Sequence, residues 1–510
     1  MRWHHAILNC SQSRELEHRL LGDDPQKVDA AMKRAGRGLA QQLSQDLGVR
    51  LQIDKCHCLL LLGKGHNAGD AMIAGLSLLE RHANLKITAV PVLGADQLKG
   101  TVAVHWKELC SHARVRTSSL DDLLNRDGKL RFDLSIDGIF GMQFRAPFSD
   151  ELGDAIRRLN ARDLGVRIAV DLPSGMSDAP SSLVLRADFT YATGILKSPL
   201  IESGNLKHAG RLRYVDIGFF DDLEEASELR VVAPALMHSL AALRPVDCDK
   251  RSFGHLLVVA GSRRMPGALC MCVRAALRSG VGLVTVLAPE SLIHPCAVQM
   301  PEAMWIPWPE TPEGDLALEG VGMLESLRDR ITGVVMGPGC GRSQETQALL
   351  DEVVDRFEVP LVMDADALSR ERMQRLQARS ASLVLTPHEG EFRRIAALEK
   401  SGNVNAEQLR DFAAKFPNVV VVLKGPVTRL CANGEIVHFP WGNPILARGG
   451  SGDILAGLVG GKVAMPGKVA LSIRVAQAVA CHAIAADRLF AQKEETHVCT
   501  TDILNLLNSY

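Results

Sequence analysis

The run Cys58-Leu59-Leu60-Leu61-Leu62 is apolar without a break and then gives way to Gly63-Lys64-Gly65-His66-Asn67-Ala68-Gly69-Asp70. A strand with one wet face alternates polar and apolar residues. A strand with no polar position is covered on both faces, as strands of parallel sheets are. A helical pattern follows from Ala71 to about His82, so strand, glycine loop and helix form one crossover. In such sheets, ligands bind at the loops outside the carboxyl ends of the strands.

The pattern recurs. The first fifty residues read as polar and helical. After the first crossover, Phe132–Ile136 delivers Asp137, Val166–Val170 delivers Asp171 ahead of Leu172-Pro173-Ser174-Gly175, and Ala187–Ala192 leads to Thr193-Gly194. An acid at the end of a buried strand is costly unless it binds a cation, moves a proton or caps the following loop. Asp216-Ile217-Gly218-Phe219 closes the last strand of this half, and an acidic stretch from Asp221 to Glu225 marks the connection. The expected domains are residues 1–225 and 226–510, the second approached by a helix from Ala233 to Leu243.

The second half restarts with His255–Ala260, the loop Gly261–Gly267, a small-residue helix from Ala268 to Ser279 and the strand Gly282–Leu287. Later strands end at Gly337-Pro338-Gly339-Cys340-Gly341, Asp364-Ala365-Asp366, Thr386-Pro387-His388-Glu389-Gly390-Glu391 and Lys424-Gly425-Pro426-Val427-Thr428. Asn433-Gly434 signals a hairpin turn. Then Gly449-Gly450-Ser451-Gly452-Asp453 runs into good helix formers. Such a loop opening onto a helix start offers backbone N–H groups to an anion. An acid at that place suits a base that takes a proton from a hydroxyl attacking a phosphoryl group, while the loop steadies the developing charge. The plainer reading makes Asp453 a helix N-cap. Asp366 and Glu391 can likewise cap helices, and Lys424 can be a solvated lysine. Five strand ends of this kind on one sheet edge favour a ligand site.

At 510 residues the chain exceeds a single core. A net charge of -1 makes no electrostatic case for nucleic acid or membrane as partner. No stretch approaches the roughly 18 apolar residues of a membrane span, and the first residues do not read as a signal peptide. The twelve cysteines lack the spacing of a disulfide framework, which suits the cytoplasm. Cys56-His57-Cys58 and Cys270-Met271-Cys272 have the wrong spacing for the usual zinc pairs.

Gly63 to Asp70, Asp137-Gly138-Ile139-Phe140-Gly141 with Arg145 and Pro147, and Asp171 to Gly175 resemble the NAD(P)H-hydrate epimerase family over roughly residues 20 to 220. The resemblance implies a Rossmann-like three-layer α/β/α domain. It implies a potassium ion on Asn67, Asp137 and Ser174, and substrate contacts from His66, Asn67, Ala68, Gly69, Asp70 and Gly141. Asp171, with Arg145, would handle protons as the hydrated nicotinamide ring epimerises. Two departures stand out. The family's usual Asn-Asn-Gly-Gly-Asp-Gly is His66-Asn67-Ala68-Gly69-Asp70-Ala71 here, and its Gly-Thr-Gly is Gly141-Met142-Gln143. Alanine restricts positive φ and close backbone approach, which sets a degenerate, non-catalytic first half beside the active one.

Met265-Pro266-Gly267-Ala268, Gly337-Pro338-Gly339, Met363 to Asp366, Thr386 to Glu391, Lys424 to Thr428 and Gly449 to Asp453 resemble the ADP/ATP-dependent NAD(P)H-hydrate dehydratases, which are ribokinase-like, over roughly 245 to 490. The resemblance implies that Lys424, Gly425, Pro426, Val427, Thr428 and Gly452 hold the nucleotide. Ala268, Gly339, His388 and Asp453 would contact the hydrated dinucleotide, with Asp453 as base. The expected fold is thus α/β, with two doubly wound domains. The expected partners are hydrated NADH or NADPH, ADP with magnesium, and further copies of the chain. The rival reading is a ribokinase-like kinase of a vitamin precursor with a non-catalytic N-terminal module.

Overall fold

The computed structural model describes residues 2–125, 131–223, 225–241, 243–399, 402–493 and 495–507. It divides into two compact units, Met1–Pro234 with Phe490–Glu494, and Ala235–Leu489 with Glu495–Tyr510.

The first unit is built on seven parallel strands in the order Val115–Thr117, Leu85–Pro91, Cys56–Leu62, Leu134–Gly138, Val166–Val170, Phe189–Thr193 and Arg211–Val215. Leu59 to Leu62 are at most 1% exposed, as the unbroken apolar run requires. The order turns outward on both sides of Cys56–Leu62 and Leu134–Gly138, so the loops after these two strands diverge and leave a crevice between them.

The start of the chain departs from expectation. Residues His4–Leu8 form a strand, followed by helices Cys10–Leu21 and Pro25–Leu47. Five residues hold no helical or alternating pattern long enough to read. The strand exists because Leu229–Val232 pairs antiparallel with it and Leu196–Lys197 pairs parallel to it. That pairing also keeps residues 229–232 with the first unit.

The helix expected from Ala71 begins at His66 and runs to Arg81. Asn67 to Asp70 therefore belong to a helical first turn rather than to an open loop. Ala68 and Ala71 are fully buried on the helix's inner side. Neither occupies a positive φ, so alanine fits where the glycine pattern is broken.

The second unit carries seven parallel strands in the order Met304–Trp308, Leu283–Pro289, His255–Val259, Gly333–Met336, Leu361–Met363, Leu383–Leu385 and Val419–Leu423. The hairpin Arg429–Ala432 and Glu435–His438 follows antiparallel, turning at Asn433 and Gly434 with φ of 51° and 81°. The helical approach expected from Ala233 to Leu243 is a 3-10 helix over Pro234–Ala241, and residue 242 lies outside the described residues.

The helix Ser451–Ala464 lies against this sheet with nearly every residue buried. Small residues let it come close. A Cβ on Gly457 would lie 2.1 Å from the carbonyl oxygen of Cys272 in helix Pro266–Arg278. Because that oxygen belongs to backbone, it cannot swing away. Gly457→Ala should therefore lower the stability of the second unit by about 1–3 kcal/mol, read as a lower unfolding midpoint in urea.

Candidate functional sites

In the second unit the strand ends meet around a buried ion pair. Asp364, 1% exposed at the end of Leu361–Met363, accepts from Lys424 Nζ at 2.8 Å and from Thr386 Oγ1 at 2.9 Å. The Lys424 ammonium also stands 4.0 Å from Glu391 Oε2. Burial alone would lower the pKa of Lys424, but the charges of Asp364 and Glu391 outweigh it and raise the value above its ordinary level.

Gly450 caps the helix Ser451–Ala464 in the left-handed region at φ 91°, a conformation that suits glycine. This places Gly452 against the pair: a Cβ there would lie 3.2 Å from Lys424 Nζ and 3.7 Å from Asp364 Oδ2. Asp453 follows in the helix's first turn. Burial pushes its carboxyl up to about 6, and the charge of Asp364 adds to that while Lys424 opposes it. The result is a carboxyl at a helix N-terminus whose proton is held more tightly than usual. Asp453 is not the N-cap, since Gly450 holds that position and no side chain caps the helix.

Lys424 opens the exposed or half-buried loop Lys424-Gly425-Pro426-Val427-Thr428, and its backbone N–H donates to the Pro387 carbonyl at 2.9 Å. Gly339 and Ala268 come together, since a Cβ on Gly339 (φ 63°) would lie 2.8 Å from that of Ala268. His388 is the N-cap of helix Glu389–Ala396, its Nδ1 accepting from the N–H of Gly390 at 3.0 Å. Glu391 completes the box by accepting from His388 N at 2.9 Å, so it caps a helix and faces Lys424 at once. His482, which the sequence reading did not single out, lies beside the start of helix Ser451–Ala464. It is buried, its Nε2 is 3.3 Å from Ser451 Oγ, and burial pushes its pKa down to about 4 with Lys424 adding to the effect. Nothing in a histidine on the apolar helix Leu471–Gln492 marks it in sequence.

In the first unit, Asp137 is buried with both oxygens engaged. Oδ1 accepts from Ser174 Oγ at 2.6 Å and Ile139 N at 3.1 Å, and Oδ2 from Ser174 N at 2.8 Å. Burial nonetheless pushes its carboxyl up to about 6, because no cation offsets it. The Ser174 hydroxyl also accepts from Phe140 N at 2.9 Å. Asn67 and Asp171 converge over Gly141: a Cβ there would lie 3.4 Å from Asn67 Oδ1 and 3.3 Å from Asp171 Oδ2. The buried Nδ2 of Asn67 has no partner among the described residues. Asp70 is buried and its carboxyl is raised well above the ordinary range, first by burial and then by Asp171. His66 is exposed at the helix start, while Ala68 and Gly69 are buried.

The cation on Asp171 is Lys197, whose Nζ donates to Asp171 Oδ1. Arg145, expected to handle protons together with Asp171, is exposed on the segment after Gly141. Lys197 was missed although a signal existed: it is the lone charge in the apolar stretch Ile195-Leu196-Lys197-Ser198-Pro199-Leu200. The described residues hold no group of three or more His, Cys, Asp or Glu able to bind a metal. No helix among them is long and apolar enough to cross a membrane.

Two doubly wound α/β units, one gathering Asp453 and Lys424 at a helix N-terminus and one bringing Asn67 and Asp171 together over Gly141, have the architecture of a two-domain enzyme. Residues 256–508 match the NAD(P)H-hydrate dehydratase family, and residues 28–198 match the family described as YjeF-related protein N-terminus. The chain is 32% identical over 483 residues to a bifunctional NAD(P)H-hydrate repair enzyme Nnr of Gloeobacter violaceus, covering 90% of this chain and 89% of that one. The enzyme of the same name from Synechocystis is 31% identical over 502 residues, covering 94% and 90%. An ADP/ATP-dependent NAD(P)H-hydrate dehydratase structure from Bacillus subtilis is 27% identical with a TM-score of 0.45, covering 53% of this chain and 94% of that chain. The chain belongs to the bifunctional NAD(P)H-hydrate repair enzyme family, with a Rossmann-like first unit and a ribokinase-like second unit.

The Asp364–Lys424 pair sets a stability test. Lys424→Met leaves the Asp364 carboxylate buried without its cation and should cost about 3–5 kcal/mol in thermal or urea unfolding of the second unit. Adding Asp364→Asn should recover most of the loss.

Proposed function

We propose that the second unit dehydrates hydrated NADH or NADPH at the expense of ADP, and that the first unit interconverts the two epimers of that substrate. The observation that carries the first statement is the placing of Asp453 and Gly452 beside Lys424 at the start of helix Ser451–Ala464. Hydroxide is a poor leaving group. Asp453 takes the proton of the ring hydroxyl, and the oxygen attacks the terminal phosphoryl of ADP, releasing AMP. The phosphate ester then leaves with its C–O electron pair, a proton departs from the neighbouring carbon, and the reduced ring is restored with phosphate as the other product. Lys424 and the backbone N–H groups from Gly449 to Gly452 hold the phosphoryl charge as it moves. Gly425, Pro426, Val427 and Thr428 border the nucleotide, while Ala268, Gly339 and His388 border the dinucleotide. Magnesium travels with the ADP phosphates, as it does in most sites of this chemistry.

In the first unit, Asn67, Asp137 and Ser174 fit a potassium ion. Their oxygens are hard donors, and Asp137 is a buried carboxylate that lacks a compensating cation. Potassium held there would supply that positive charge. Asp171 moves the proton of the ring hydroxyl while Asn67, Asp70 and Gly141 border the ring. The helical burial of Ala68 and Ala71 removes the main reason for a non-catalytic first half.

Two variants separate the activities. With both epimers of hydrated NADH, ADP, magnesium and potassium, wild type should restore the reduced-cofactor absorbance fully, faster than a dehydratase acting on spontaneously epimerising substrate. Asp171→Asn should stop near the share of one epimer. Asp453→Asn should lower dehydration by about 100-fold or more while epimer exchange continues. A phosphorylated product that accumulates would favour the vitamin-kinase reading. Because Asp453 must be ionised to act and its carboxyl sits at about 6, dehydration kcat/KM should fall as pH drops through that value.

A further inference from the structure

The cation paired with Asp171 has no role in the chemistry described so far. Lys197 ends the short strand Leu196–Lys197, set parallel to His4–Leu8 with Leu8 opposite it, and is 1% exposed. Its Nζ donates to Asp171 Oδ1 and to the carbonyl of Thr193, the latter at 3.2 Å. Burying an ammonium is a poor way to gain stability, since an apolar side chain of similar volume avoids the desolvation cost. Asp171 itself sits at φ 67°, a strained conformation for a non-glycine residue, which persists only where its surroundings enforce it.

The surroundings of the pair are acidic. Asp70 faces it from helix His66–Arg81, and Glu17 and Cys10 from helix Cys10–Leu21. Asp178 lies beside Cys10, accepting from its backbone N–H at 2.7 Å and from that of Ser11 at 3.2 Å. Burial pushes Glu17 up to about 7, with the charge of Lys197 opposing it. Lys197 thus sets an ammonium directly against Asp171 within this acidic pocket.

We propose that Lys197 is a positioning residue for epimerisation, holding the Asp171 side chain over Gly141 through their buried ion pair so that it faces the ring hydroxyl. This rests on the epimerase reading of the first unit. The order of events then follows. Asp171 takes the hydroxyl proton, and the oxygen electron pair forms a carbonyl as the bond from that carbon to the ring nitrogen breaks. The nitrogen keeps the bonding pair, spread into the conjugated carboxamide. The planar carbonyl carbon turns, the nitrogen adds to its other face, and Asp171 returns the proton to the oxygen. No atom or electron is gained or lost, and no further reactant is needed.

The test follows conversion of one purified epimer of hydrated NADH into the other by the full chain in potassium buffer, resolved by chromatography. Lys197→Met should lower kcat by about 100-fold with KM little changed. The acid limb of its kcat/KM profile should move to higher pH, because the variant lacks the paired ammonium that favours an ionised carboxyl. Lys197→Arg should restore part of the rate and the original limb. In an Asp171→Asn background, Lys197→Met should add no further loss. ADP-dependent dehydration, measured on the same preparations, should stay at the wild-type rate and so report a folded chain. Should Lys197→Met also lose dehydration, the limb is read from Lys197→Gln, which keeps a donor without the charge. An unchanged kcat overturns the proposal, and so does a loss that leaves the limb in place and multiplies that of Asp171→Asn. If wild type fails to exceed spontaneous epimerisation, the epimerase reading falls and this proposal with it. If wild type succeeds and Lys197→Met matches it, only this proposal falls.

Discussion

A carboxylate at the end of a buried strand cannot remain charged without help, and both centres of this protein are answers to that constraint. Three acids stand at such places and a fourth, Asp453, lies in the first turn of a helix, and each is compensated differently. Asp364 has the Lys424 ammonium and the Thr386 hydroxyl. Asp171 has Lys197. Asp137 has N–H and O–H donors but no cation, and is pushed up to about 6. Asp453 has Lys424 at longer range, shared with Asp364, and is pushed up to a similar value. The degree of compensation sorts them into two kinds: Asp364 and Asp171 each hold a lysine, while burial prevails at Asp453 and Asp137.

The two units show how one architecture supports different reactions. In both, parallel strands buried on two faces direct their loops to one edge of the sheet, and a helix start completes the site. In the second unit that helix begins at Ser451 behind its cap Gly450 and brings bare backbone against Lys424, an arrangement that suits phosphoryl charge. In the first unit the helix begins at His66 and brings an amide side chain, Asn67, over Gly141 to face Asp171. Phosphoryl transfer needs a nest of donors, whereas epimerisation needs only a proton carrier and a place for the ring.

Much of this was legible in the residues. Unbroken apolar runs marked the central strands, acids and glycines marked their carboxyl ends, and Asn433-Gly434 marked the hairpin. Asp137, Asp171, Lys424 and Asp453 stood out for the same reason: a charge directly after a buried strand or a glycine loop demands an explanation. The altered loop from His66 to Ala71 is misleading in sequence, because its glycines suggest an open loop. Packing against the helix Pro25–Leu47, where a Cβ on Gly69 would meet Met32 Sδ at 2.0 Å, makes it a helical turn in which alanine is at home.

Local pattern therefore determined the sheets, the edge that carries chemistry and most of the acids and glycines on it, because strand burial and helix starts leave their mark within a few residues. Pairings across long stretches of chain were decided only by the fold. His4–Leu8 becomes a strand through residues 229–232, and with Leu196–Lys197 beside it the Lys197 ammonium reaches Asp171. Which cation meets which carboxylate depends on where distant strands end in space, and no local spacing encodes that.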